Sequence, residues 1–230
     1  MAYKDKATVQ SMVSEQLVNN PSKLYDLDVI KRKTYTEWAA ETILQEIDKL
    51  IIAHVPERDT YDTGHTGCTK NDKGIATEKV IAKKLFNSKR IYHDTIGNIF
   101  DYEIPLSVSE NDGLGDIDLV SETDDCIYLI EFKRPKSSES LLRCALEIYT
   151  YYKQLPEKKF IENFINTKKL KKAAPLKLAV LVFADSTAYK QYMDKEKNPK
   201  THTLMKRLAA TVDIDFYVLD NADDLNVTAV

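Results

Sequence analysis

Apolar positions along this chain repeat with two different periods. Ala7–Leu17 has helical spacing, and Thr34–Ala53 has it more strongly: Trp38, Ala39, Ile43, Ile47, Leu50 and Ile51 fall on one stripe, which Pro56 ends. Asn20-Pro21 breaks the chain between them. From His54 to Gly74 the residues read as loop (Pro56, Asp62, Gly64, Gly67, Asn71, Asp72, Gly74), and Ile75–Phe86 returns to helical spacing. Strand-like runs then take over. Arg90–Val108 is β-rich, with a turn near Gly97-Asn98 and an edge at Pro105; Asn111-Asp112-Gly113 is a turn signal; Gly115–Ser121 and Cys126–Lys133 are strands joined by Thr123-Asp124-Asp125. Ser137–Leu155 is an amphipathic helix with Pro135 and a serine cap at its start. Glu157–Lys172 is a lysine-rich connection with a short helix. Leu176–Phe183 is apolar throughout, as a central strand is; Ser186–Ala210 is helical and Val212–Leu219 is a last strand. From residue 75 the order helix, strands, helix, strand, helix, strand predicts an α/β mixed sheet flanked by helices.

Composition narrows the class. The 230 residues are 43% hydrophobic and 30% charged, which suits a globular core of one generous domain. The division expected is a helical N-terminal extension over 1–58 and a sheet-containing domain over 59–230. No apolar run approaches the roughly 20 residues of a membrane helix. The first residues, MAYKDKATVQ, lack the apolar stretch of a secretory signal. Three widely spaced cysteines, Cys68, Cys126 and Cys144, form no CxxC pair and fit reduced thiols in the cytoplasm, the last two as small core residues. The net charge of −3 does not advertise a nucleic-acid binder, although positive potential confined to a cleft would not show in it.

The candidate chemistry lies in GDIDLVSETDDCIYLIEFKRP, residues 115–135. Side chains alternate along a strand, so Glu131 and Lys133 share a face, roughly 6.6 Å apart along the backbone, while Tyr128, Ile130 and Phe132 take the other. Asp118 is on the preceding strand. A short turn makes the two strands antiparallel neighbours, which lets both carboxylates face one side. Paired carboxylate oxygens suit Mg²⁺, with Mn²⁺ as a substitute, and such an ion acidifies a bound water and offsets phosphate charge. Lys133 is a compact positive charge for orienting that water or stabilising an oxyanion. Glu78 falls on the apolar stripe of the 75–86 helix, an unusual place for a glutamate unless it reaches the same ion. Asp116 shares the face of Asp118 and is either a second ligand or the opening of the strand.

Asp118, the Glu131-x-Lys133 pair and the helix that follows resemble the PD-(D/E)xK nuclease superfamily. IEFKRP followed by ALEIYTYYKQL is similar in particular to the nuclease domains of type I restriction motor subunits and to RecB-type nucleases. The resemblance covers residues 75–185. It implies a restriction-endonuclease-like fold and Mg²⁺-dependent hydrolysis of DNA phosphodiesters, in restriction and defence or in repair and recombination. By it Asp118, Glu131 and Lys133 are catalytic, Asp118 and Glu131 bind metal, and Glu78 is an auxiliary metal ligand. The Gly-x-x-Asp frame of Gly115–Asp118 selects Asp118 over Asp116. Tyr151 stands at the family's tyrosine position, but Glu147 replaces the glutamine four residues before it, as a polar group on the substrate side or as an exposed acid. A nuclease fold kept for binding nucleic acid or a protein is the alternative. A homodimer would serve cleavage of both strands.

Several other features have less to say. Arg143, Glu147, Thr150 and Gln154 form a narrow polar side on the 137–155 helix, with Arg143 a candidate for substrate contact. Arg134 and Lys136 are better placed for phosphate. Lys158, Lys159, Lys168, Lys169, Lys171 and Lys172 are a solvated run or the lining of a cleft. Thr69-Lys70-Asn71-Asp72 resembles a guanine-recognition motif, but no phosphate loop accompanies it, and His54, His65, His93 and His202 lack zinc-type spacing.

Overall fold

The computed structural model describes residues 3–55, 57–65, 77–108, 114–220 and 225–230. Cys68, the Thr69–Asp72 motif, Gly67, Gly74, Ile75, Pro56 and the Asn111–Gly113 turn lie outside these residues.

Strands β1 (Ile91–Tyr92), β2 (Gly97–Pro105), β3 (Asp116–Glu122), β4 (Ile127–Phe132), β5 (Leu176–Phe183), β6 (Ile214–Leu219) and β7 (Val227–Ala229) form one mixed sheet in sequence order. The first four run antiparallel, β4–β5 and β5–β6 are parallel, and β7 returns antiparallel to β6. The sheet curls toward a barrel. Arg90, just before β1, donates to Asn226 Oδ1 beside β7 at 2.6 Å, so the two edge strands approach each other. Gly97 opens β2 at φ 73°, where a Cβ would lie 2.0 Å from the Glu122 carbonyl oxygen; the turn falls just before it.

Helices cover both faces. On one, α4 (Glu78–Ser88) packs on β2 and β3, and Ile81, Leu85 and Phe86 join Leu119, Ile130 and Phe132. On the other, α5 (Leu141–Gln154) lies across β4 and β5. Its core is shared by α1 (Lys6–Asn19), α2 (Asp28–Lys31), α3 (Thr36–Glu46), α6 (Glu157–Asn166), α7 (Thr187–Met193) and α8 (Pro199–Val212), of which α2, α7 and α8 pack on α5 itself. Val9, Leu24 and Ile43 from the first 50 residues share one continuous core with Leu142, Leu146 and the sheet residues Leu129 and Val180. Cys126 and Cys144 are buried and free.

Several expectations about elements change: α5 starts at Leu141 rather than Ser137, Ser186–Ala210 divides into α7 and α8, and β6 starts at Ile214 because Val212 still belongs to α8. The helix predicted over Thr34–Ala53 ends at Glu46, followed by a 3-10 turn, Ile47–Lys49. The chain then leaves helical geometry to reach the C-terminal end of α5: Val55 N donates to Gln154 O at 2.9 Å and His54 Nδ1 lies 3.1 Å from Leu155 O. These carbonyls have no partner inside their own helix, so tertiary capping outweighs the local apolar pattern. Helix α4 begins at Glu78, because Thr77 caps it through the Val80 N–H. Strand β7 was not expected: three residues with one polar neighbour give no period to detect.

Candidate active site

Register brings the acids together. Leu119 pairs with Ile130 across β3 and β4, so the next positions along, Asp118 and Glu131, stand opposite each other at one end of the sheet. Asp118 Oδ2 accepts a hydrogen bond from Phe132 N at 2.7 Å. Lys133 N donates to Leu181 O at 3.0 Å, which extends the parallel β4–β5 pairing one residue past the strand and fixes the lysine's direction. Glu131 and Lys133 are only 2% and 5% exposed.

The Lys133 ammonium is the centre of the constellation. It bonds the Glu131 carboxylate directly. It lies 3.5 Å from Glu139, 3.6 Å from Glu147 Oε2 and 3.9 Å from Glu78 Oε2. Arg143, one turn before Glu147, bonds Glu139 and reaches Glu147 Oε1 at 3.4 Å. Tyr151, one turn after, donates to the same Oε1 at 3.2 Å and packs edge-on against Tyr25. Five carboxylates (78, 118, 131, 139 and 147) thus face two cations.

Burial first, and then that imbalance, sets the proton affinities. Burial pushes the Asp118 carboxyl up to about 7, against the pull of Lys133 and the Phe132 N–H. Glu131 is pushed well above the carboxylate range by burial, then by Glu147 and Asp118. Burial alone would lower Lys133, but Glu131, Glu147 and Asp118 hold it well above an ordinary lysine, so it stays an ammonium. Burial and then Glu147 raise the Tyr151 hydroxyl, which stays a neutral donor.

Comparison of the chain with protein-family models, with curated proteins and with solved structures finds no match.

The structure brings Asp118, Glu131, Lys133 and Glu78 to one end of the sheet. Glu78 is at the first turn of α4, partly exposed, rather than on its buried stripe, and its Oε1 accepts from Arg134 N at 3.3 Å. Glu147 is neither an exposed acid nor a bystander: it is 7% exposed and faces Lys133. The polar side of α5 points inward, with Thr150 and Gln154 buried as well. Arg143 is spent on Glu139 and Glu147 inside the site. Asp116 is exposed at the start of β3, near Lys79. Arg134 and Lys136 are exposed just beyond β4. Glu139 was missed by sequence reasoning; the serine-rich stretch Ser137–Ser140 gives it no periodicity to mark it.

The lysine run does not line this end. Lys169 is tied to Asp62 at 2.5 Å and to fully buried Asp101 at 2.9 Å. Lys171 and Lys172 line a groove of about 530 Å³ with Lys89 and His93, beside Glu122 at the far end of β3.

A divalent cation fits the donor set. The oxygens are hard, those of Glu131 and Glu147 are buried, and Glu147 Oε2 has no hydrogen-bond partner among the described residues; an ion would displace the protons that burial favours on Asp118 and Glu131. Among those residues, no three acidic, imidazole or thiol groups are already spaced to hold an ion. Lys133 Nζ stands among the carboxylates instead.

Proposed function

We propose that this chain is a metal-dependent nuclease of the PD-(D/E)xK type, with a restriction-endonuclease-like fold, hydrolysing DNA phosphodiester bonds in the cytoplasm. The observation that carries the proposal is the convergence of Asp118, Glu131 and Lys133 at one end of the sheet. The topology supports it: an antiparallel β2–β3–β4 meander, a helix on one face, then β5 parallel to β4. No described helix is long and apolar enough to cross a membrane.

In this reading Asp118 and Glu131 hold Mg²⁺ or Mn²⁺, with Glu78 at the open side of the site. The ion, when bound, supplies an acidified water and offsets phosphate charge. Lys133 contributes a fixed positive charge to the phosphate oxygens, and its acidic neighbours keep it protonated at neutral pH. Arg134 and Lys136 extend the positive rim for the nucleic-acid backbone.

The test is incubation of supercoiled and linear DNA with the full chain and Mg²⁺ or Mn²⁺, beside Asp118→Asn and Lys133→Gln. The wild type is expected to cut, and each variant to lose about a hundredfold or more, with circular dichroism showing that it remains folded. Undiminished cutting by the folded variants would sink the assignment. DNA binding without cutting in either metal would favour a nuclease-fold binding module.

A further inference from the structure

We propose that Glu147, on α5, is a third carboxylate of the cation site, acting with Asp118 and Glu131; this rests on the metal-centre reading above. Two neighbours on its own helix orient it. Arg143 Nη2 and the Tyr151 hydroxyl both donate to Oε1, at 3.4 and 3.2 Å. Both donors on one oxygen turn the other, Oε2, toward Lys133 Nζ at 3.6 Å, beyond hydrogen-bonding distance. Oε2 is buried, and no N–H or hydroxyl of the described residues donates to it; the Glu131 carboxyl is within hydrogen-bonding reach of Glu147. Two buried carboxyls that close must share either a proton or a cation.

The surroundings favour the cation. Lys133 Nζ, which Oε2 faces, is bonded to Glu131, and both Lys133 and Glu147 act electrostatically on Asp118. The three acids arrive from three elements, β3, β4 and α5, so backbone rather than flexible loop positions each one. Their oxygens are hard and become anionic once the cation displaces their protons, the donor chemistry of Mg²⁺ and Mn²⁺. A glutamine at 147 could still accept from Arg143 and Tyr151, but it would bring no charge to the ion. Glutamate at this position therefore adds affinity for the cation beyond what two acids give.

The experiment is calorimetric titration of the metal-free full chain with MnCl₂ alone, repeated for Asp118→Asn and Glu147→Gln, with near-ultraviolet circular dichroism confirming the fold of each. The wild type is expected to bind Mn²⁺, Asp118→Asn to lose binding, and Glu147→Gln to bind about tenfold or more weakly. If Asp118→Asn loses binding while Glu147→Gln matches or exceeds the wild type, the role of Glu147 is overturned and the two-acid site stands. If the wild type binds no Mn²⁺, the metal-centre reading falls and this inference falls with it.

Discussion

At the scale of single residues, a glycine controls the site through a side chain far away in sequence. A Cβ on Gly115 would lie 1.9 Å from the Tyr151 hydroxyl oxygen. Tyr151 is 4% exposed, and its hydroxyl contacts both Glu147 and Tyr25. It has little freedom to retreat. Gly115→Ala is therefore expected to destabilise the chain by about 1–3 kcal/mol, measured by urea unfolding, and to lower the proposed nuclease activity by loosening the hydroxyl that orients Glu147. Wild-type stability and activity in Gly115→Ala would show that the contact yields freely. The Gly-x-x-Asp spacing was legible in the sequence as a motif, but its physical reason was not. The clash is with an aromatic tip 36 positions on, and only the packing of α5 on the sheet puts it there.

At the scale of elements, the loop before α4 is anchored to the sheet by charge. Lys169, just after α6, bridges Asp62 in that loop and Asp101 in β2; His65 Nδ1 adds a contact to Asp101 at 3.2 Å and stacks on Tyr102. Lys169→Met leaves Asp101, 0% exposed, without its closest cation. The expected loss is about 2–3 kcal/mol in chemical denaturation, below the roughly 3–5 kcal/mol of a fully buried pair because the lysine side chain keeps 22% of its surface in water. The pH dependence follows from the two shifts. Burial pushes the Asp62 carboxyl up, but Lys169, with the Gly64 N–H, brings it below its ordinary 3.8; its share of stability is present above that value and disappears as pH falls through the lowered one. Burial lowers Lys169, but Asp62 and Asp101 raise it above its ordinary 10.5; its share is full below that value and is lost as pH rises through the raised one. The difference between wild type and Lys169→Met should be flat between about pH 5 and 9 and shrink below about pH 4. A difference that persists unchanged into acid would show that packing, not charge, holds the loop.

At the scale of the whole molecule, the first 50 residues complete the core rather than decorate it. Ser140 Oγ donates to Ile30 O at 2.8 Å while capping α5, and Tyr25 packs on Tyr151 beside the site. A chain beginning at residue 59 would expose the α5 face that residues 21–31, Leu24 and Tyr25 among them, cover, and the α8 face against which α3 packs. We expect that truncation to be insoluble or molten, without a cooperative urea transition, whereas the full chain unfolds in a single step. A cooperative transition in the truncated chain would show that the sheet and its own helices suffice. By itself the sequence determined the α/β class, the central position of β5, that a serine caps α5 (Ser140, with the helix starting at Leu141 rather than at Ser137) and the shared face of Glu131 and Lys133. Each follows from a local period or a local hydrogen bond. The tertiary structure alone decided where α3 ends, that Lys169 of the lysine run ties down a loop while Lys171 and Lys172 line a groove away from the candidate site, and that Glu139, Arg143 and Glu147 crowd around Lys133. Those outcomes depend on which helix end, carboxylate or ammonium lies within a few ångströms after packing, and charges separated along the chain carry no period from which that distance can be read.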